Sequence, residues 1–294
     1  MAGTHVKSIQ RSLIVNKQVL IVGCGDLGTA LAHQLQDQGF NPIGVRRSSA
    51  INSTFPYIQA DVTSPASLSA IEGLNPSVLV YCVAASAQTD ENYRQHYVEG
   101  LRNVLNAIGD STNLKHVFFV SSTRMYGQEG DVLLDENTIP QAMDFGGHRL
   151  LEAESLLAQA AKSWTYTALR LTGIYGPGRN RMINLAANLS HWPNQNGWSN
   201  RIHRDDAAGF MVHLIQMLSL GERLHDCYVV TDSCPAPQYE VLQWIAGKMG
   251  LSVDGAAPKI AGGKRMSNRR MLSTGFYLKY PDYKVGYSAL LAMV

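Results

Sequence analysis

The sequence is short of net charge, of paired cysteines and of long apolar runs. Charged residues make up 16% of its 294 residues and balance to a formal net charge of +2, so nothing points to nucleic acid or to an anionic membrane surface. The four cysteines (Cys24, Cys82, Cys227, Cys234) show no C-x-x-C pairing, which excludes a disulfide framework and a zinc site. The nine histidines form neither H-x-x-x-H nor H-E-x-x-H, and no metal is expected. No window holds 18 uninterrupted apolar residues, and residues 1–16 lack the apolar stretch of a secretory signal. A soluble, cytoplasmic protein without a membrane span is therefore expected. Internal repeats and low-complexity linkers are also lacking.

What is present is an alternation. Val19-Leu20-Ile21-Val22, Pro42 to Val45, Tyr57 to Ala60, Val78 to Ala84, His116 to Ser121 and Tyr166 to Leu171 read as strands. Several of these runs are apolar throughout, the mark of strands covered on both faces. Helical patterns separate them: Thr29 to Leu35, Asn92 to Ile108 and Arg149 to Lys162. Strands alternating with helices over some 170 residues predict right-handed crossovers and a doubly wound parallel sheet, an α/β architecture with ligands at the carboxyl ends of the strands. After Pro177 the pattern loosens. A helix from Asp205, expected to serve as its cap, to Leu218, a strand at Tyr228 to Val230 and a helix from Tyr239 to Met249 complete the reading. We expect an extension at 1–17, a core over 18–177 and a small lobe over 178–294 interleaved with the core.

Gly23-Cys24-Gly25-Asp26-Leu27-Gly28 lies between the first strand and the first helix. Gly23 permits the turn, Gly25 lets backbone approach a diphosphate, and Gly28 lets the helix pack on the strand, which defines a dinucleotide site of Rossmann type. The helix N-terminus adds N–H groups and partial positive charge. An acid about 20 residues downstream would bind the ribose hydroxyls of NAD, but that place holds Arg46 and Arg47, and no acid occurs from Asn41 to Phe55. Guanidinium groups there favour the 2′-phosphate of NADP over NAD; the other reading is two solvated loop charges. Asp61 either meets the adenine amino group or caps the turn that follows.

With Asp61-Val62, Val83-Ala84-Ala85, Val98-Glu99-Gly100, Ser121 to Gly127, Arg170 to Pro177 and Ile202 to Asp206 in this order, the chain resembles the extended short-chain dehydrogenase/reductase family, the NAD-dependent epimerases/dehydratases. The resemblance implies cofactor contacts at Val62, Val83, Ala84 and Ala85, and Ser122 as the serine that holds a substrate carbonyl. It implies substrate contacts at Arg124, Tyr126 and Arg179, and a homodimer through the helices near Asn92–Ile108 and Arg149–Lys162. Family members pair a proton-transferring tyrosine with a lysine one helical turn on; here Phe145 and Arg149 hold those places. Phenylalanine has no proton to transfer, while Arg149 keeps a charge for ribose hydroxyls. The substitute donors to weigh are Tyr97, Tyr126, Tyr175 and His148, with Tyr97 at a cofactor-lining place of the family. The expected function is an NADP-preferring oxidoreductase of this type acting on a sugar-like or small carbonyl or alcohol substrate, with Ser122, Tyr97 and Arg149 as catalytic candidates. The alternative is a non-catalytic NADP-binding sensor or scaffold.

Overall fold

Seven of the chain's short extended segments pair side by side in the computed structural model, which describes residues 17–49, 53–109, 111–253 and 255–293. The expected extension at 1–17 falls, but for Lys17, outside the described residues. The strands are β1 (Gln18–Val22), β2 (Asn41–Arg46), β3 (Tyr57–Gln59), β4 (Val78–Tyr81), β5 (His116–Ser122), β6 (Thr165–Leu171) and β7 (Cys227–Val230). They lie in the order β7-β6-β5-β4-β1-β2-β3 with every neighbouring pair parallel. This is the doubly wound sheet the alternation predicts. Growth of the sheet reverses between β1 and β4, so a crevice opens at their carboxyl ends.

The apolar character of β1 and β4 follows from their central place. Val19 and Ile21 face one layer while Leu20 and Val22 face the other, so no residue in the run can be polar. One layer is α1 (Asp26–Asp37) with α6 (Arg204–Ser219); Leu27, Leu31 and Leu35 meet Phe210, Met211 and Leu214 there. The other holds α2 (Asp90–Tyr93), a π-helical turn at Arg94–Glu99, α3 (Gly100–Ile108) and α4 (Phe145–Ala160). A third cluster around Tyr175, Val241, Ile245, Tyr283 and Tyr287 knits α5 (Arg181–Ala187), α7 (Gln238–Lys248) and α9 (Tyr283–Leu291), while α8 (Arg269–Ser273) packs Met271 into the first layer. β7 comes from the C-terminal third yet hydrogen-bonds to β6 in the main sheet. Among the described residues no helix is long and apolar enough to cross a membrane.

Two of the helix starts that differ from the sequence reading are set by their caps. α4 begins at Phe145, four residues before Arg149, because the Asp144 carboxylate accepts the Gly147 N–H at 2.8 Å and offsets the cost of two glycines in the first turn. The cap of α6 is His203 and not Asp205: His203 Nδ1 accepts the Asp205 N–H at 3.1 Å. A histidine can accept there only when that nitrogen is unprotonated, and burial pushes the His203 pKa down to about 4.

Candidate cofactor cleft and active site

A cleft of about 420 Å³ opens at the carboxyl ends of β1, β2, β4 and β5. Its walls bring together Gly23, Gly25, Asp26, Leu27, Arg46, Arg47, Asp61, Val62, Val83, Ala84, Tyr97, Ser122 and Arg179, all candidates from the sequence. Gly28 stands behind the wall as a packing glycine: a Cβ there would lie 3.1 Å from Ile21 Cγ2 and 3.2 Å from Cys82 Sγ.

The glycine turn has two distinct demands. Gly23 has φ +86°, and a Cβ on it would lie 2.5 Å from the Val83 nitrogen, so the turn is wedged against the end of β4. A Cβ on Gly25 would meet only Gly23 O, at 4.0 Å, so this face is open. Gly25 is also the N-cap of α1 and offers no side chain to its N–H groups. An open glycine face before an uncapped helix start is a cradle that a diphosphate fits. The adjoining carboxylate, Asp26, is neutralised from the C-terminal third: Arg179 Nε lies 2.7 Å and Arg204 Nη1 2.8 Å from its oxygens. Burial, which pushes the Asp26 pKa up, is outweighed by these two guanidinium groups, which hold it below the usual range. Arg204, although it adjoins Asp205 in a conspicuous stretch, was missed by the sequence reading.

Arg46 and Arg47 line the cleft where β2 ends. Arg46 is oriented by Ser48, whose Oγ accepts from Nε at 3.0 Å and from Nη2 at 2.6 Å. Asp61 Oδ1 accepts the N–H and the hydroxyl of Thr63 at 2.9 and 2.8 Å. Burial raises the Asp61 pKa, but those two hydrogen bonds, with the Arg47 and His96 charges, leave it lowered and the carboxylate ionised.

The other end of the cleft corrects several expectations. Arg149 does not line it: Nε and Nη2 bind the Asp90 carboxylate at 2.8 and 2.9 Å, and Nη1 binds Glu152 at 2.7 Å. Two carboxylates, on α2 and α4, engage the guanidinium, so the structure does not bring Arg149 to the cleft wall with the other candidates. Arg124 is likewise turned away, donating to Asp144 Oδ2 at 2.9 Å, Gln88 Oε1 at 2.9 Å and the Tyr93 hydroxyl at 2.6 Å, with its guanidinium 5.1 Å over the Phe145 ring. Tyr126 is fully buried; Arg170 donates to its hydroxyl, which itself donates to Asp135 O, and burial pushes its pKa up to about 12. It cannot reach a substrate. Tyr175 is packed between His203 and Tyr287, and His148 lies exposed on the outer side of α4. Ala85 does not line the cleft.

Tyr97 and Ser122 remain. Tyr97 sits in the π-helical turn with its ring 5.2 Å from that of Tyr93, and among the described residues it is the one tyrosine on the cleft wall. Burial raises its pKa against the opposing Ala85 N–H and Arg124 charge, so its phenol is protonated at neutral pH. Ser122 Oγ accepts the Arg124 N–H at 3.2 Å, which leaves the hydroxyl proton available to an incoming oxygen.

The family model of the NAD dependent epimerase/dehydratase family matches residues 19–229. The chain belongs to that family. It is accordingly an enzyme of the epimerase/dehydratase type, and its cofactor is NAD or NADP. It is 49% identical to a Methylobacillus flagellatus protein named for the NAD-dependent epimerase/dehydratase type, with a TM-score of 0.86 over 94% of this chain and 98% of that one. It shares its fold with the UDP-glucose 4-epimerase of Thermus thermophilus solved with NAD (16% identity, TM-score 0.74, 94% and 100% covered). The same holds for the UDP-N-acetylglucosamine 4-epimerase of Bacillus cereus (18%, 0.73, 94% and 99%). A comparison with curated proteins gave no match.

Proposed function

We propose that this epimerase/dehydratase-type enzyme prefers NADP and acts on a sugar-like or small carbonyl or alcohol substrate, with Tyr97 as the proton-transferring group. The observation that carries the reading is that Tyr97 and Ser122 both line the cleft, while the family's tyrosine is replaced by Phe145 and its lysine by an arginine bound elsewhere. The glycine turn and the start of α1 would hold the diphosphate, joined by Arg179, and Arg46 and Arg47 the 2′-phosphate. The bound cofactor supplies hydride exchange at its nicotinamide. Ser122 donates to the reacting oxygen and fixes it, while Tyr97 gives or takes that oxygen's proton.

The test is a screen of carbonyl and alcohol substrates by NADPH absorbance, with a product assay for epimerisation, which regenerates its cofactor. On the substrate found, Tyr97→Phe is expected to lower turnover roughly 10²–10⁴-fold, with a much smaller change in NADPH affinity. Undiminished turnover in that variant would remove Tyr97 from the chemistry.

A further inference from the structure

His96 precedes Tyr97 in the π-helical turn and also lines the cleft, alongside Asp61, Val62 and Val83. An α-helix would aim two consecutive residues about 100° apart; the wider π turn accompanies a place where both reach one cavity. The imidazole is 4% exposed, and its two nitrogens have different surroundings. Nδ1 lies 2.8 Å from Asn92 O, while Nε2 is buried and has no hydrogen-bond partner. A carbonyl oxygen can only accept, so in the neutral ring the proton sits on Nδ1 and Nε2 presents a lone pair. With Nδ1 turned back to the residue four earlier in its own helix, the Nε2 edge faces away from it. The backbone is fixed as well, since the Tyr81 hydroxyl donates to His96 O.

A buried acceptor left without a donor costs free energy, and such groups in folded proteins call for a partner. Nearby Asp61 is a second acceptor, its carboxylate held ionised chiefly by the two hydrogen bonds it receives from Thr63. Two acceptors at one end of a cleft call for a ligand group with two N–H donors. We propose that His96 Nε2 and Asp61 together read the exocyclic amino group of the adenine base, one N–H each, so that His96 sets base specificity at the cofactor's adenosine end. This rests on the dinucleotide reading of the cleft. A 6-oxo purine would present a carbonyl oxygen to both acceptors and be rejected.

The experiment compares binding of NADPH with that of its hypoxanthine analogue, in which oxygen replaces the amino group, by titration of intrinsic fluorescence or by calorimetry. The wild-type protein is expected to favour NADPH at least roughly tenfold. In His96→Phe that preference should fall toward the part due to Asp61, whereas His96→Gln, which can offer a carbonyl oxygen, should keep most of it. Equal affinity of the wild-type protein for the two nucleotides overturns the inference without needing any variant, and so does an unchanged preference in a folded His96→Phe. Absence of binding to both nucleotides would overturn the NADP reading of the cleft, and the same comparison with NADH and its hypoxanthine analogue then decides this inference: equal affinity for that pair, or binding of neither, overturns it.

Discussion

The two ends of the cleft differ in how far their polar groups are already committed to one another. At the end of β1 and β2, the α1 N-terminus has no side-chain cap, the Gly25 face is open and His96 Nε2 is unpaired. At the end of β5, Arg124 closes on Asp144 and Tyr93, Arg149 on Asp90 and Glu152, and Tyr126 on Arg170 and Asp135. One end is pre-organised to receive polar groups; at the other, Phe145 stands in the place of the family's tyrosine, and Arg149, in that of its lysine, is held in ion pairs with Asp90 and Glu152. A fold can keep its cofactor cradle while the residues around the reacting centre change.

The comparison breaks most sharply at the two glycines of the turn, which differ in what surrounds them. Gly23→Ala would add strain at φ +86° and a clash 2.5 Å from Val83 N, and is expected to destabilise the fold by roughly 3 kcal/mol or more. Gly25→Ala meets nothing in the protein closer than 4.0 Å, so its stability should change by no more than about 1 kcal/mol. Its methyl group would nevertheless occupy the cradle, raising the NADPH Kd tenfold or more, on the order of 1.4 kcal/mol. Thermal unfolding and calorimetric titration of the two variants test the pair. A Gly25→Ala protein with unaltered affinity would mean that the diphosphate lies elsewhere.

A somewhat smaller effect is expected at Arg46 and Arg47. Charge-assisted hydrogen bonds to a phosphate contribute about 1.5–3 kcal/mol each. The Arg46→Ala/Arg47→Ala protein should therefore lose roughly 10–100-fold in NADP affinity while NAD affinity changes little. Titrations at two salt concentrations would show the contrast shrinking as the charges are screened. Should wild type and variant bind the two cofactors alike, Arg46 and Arg47 are surface charges and the preference for NADP falls.

Most of the fold was legible because its signals are local and redundant. The run Val19–Val22, the glycines after it and the helical pattern from Thr29 each limit the same turn, so an error in one would be caught by the others. Cap residues were harder. His203 replaces Asp205 as the cap of α6 because a depressed pKa makes a histidine a usable acceptor, and burial is not written in the local sequence. In the site, positions defined by backbone (Gly23, Gly25, Val83) were read from motif spacing, whereas Arg124 and Arg149 were misplaced. Their guanidinium groups choose among carboxylates distant in sequence, Asp144 and Asp90, and only the packed helices decide which comes within reach. His96 gave no sequence signal, since its significance lies in a hydrogen bond it lacks.

The lobe sharpens the comparison by showing that an unpaired polar atom outside the cleft has a different consequence. Asp232 Oδ2 and the Tyr175 hydroxyl are buried without partners, and Asp232 does not line the cleft. Burial pushes the Asp232 pKa up to about 7, with the Asp282 and Asp206 charges adding to it and Arg201 and the Cys234 N–H opposing. In the unfolded chain it titrates near 3.9. Between about pH 4 and pH 7 the folded protein thus holds a proton that the unfolded chain has released. The stability contributed by neutral Asp232 is full below about pH 4, falls as pH rises and is lost above about 7, an effect on the order of 4 kcal/mol. Asp232→Asn keeps an acceptor for the Cys234 N–H, which Oδ1 receives at 3.1 Å, and carries no charge to bury. Denaturant unfolding of both proteins from pH 5 to pH 8 should show the variant gaining on the wild type by about 2–3 kcal/mol. All other titrating groups are common to the two proteins, so the difference curve isolates this carboxyl. If it is flat, Asp232 is ionised in the folded protein and its second oxygen is solvated, and the lobe's orphaned atoms then carry no stability cost of their own.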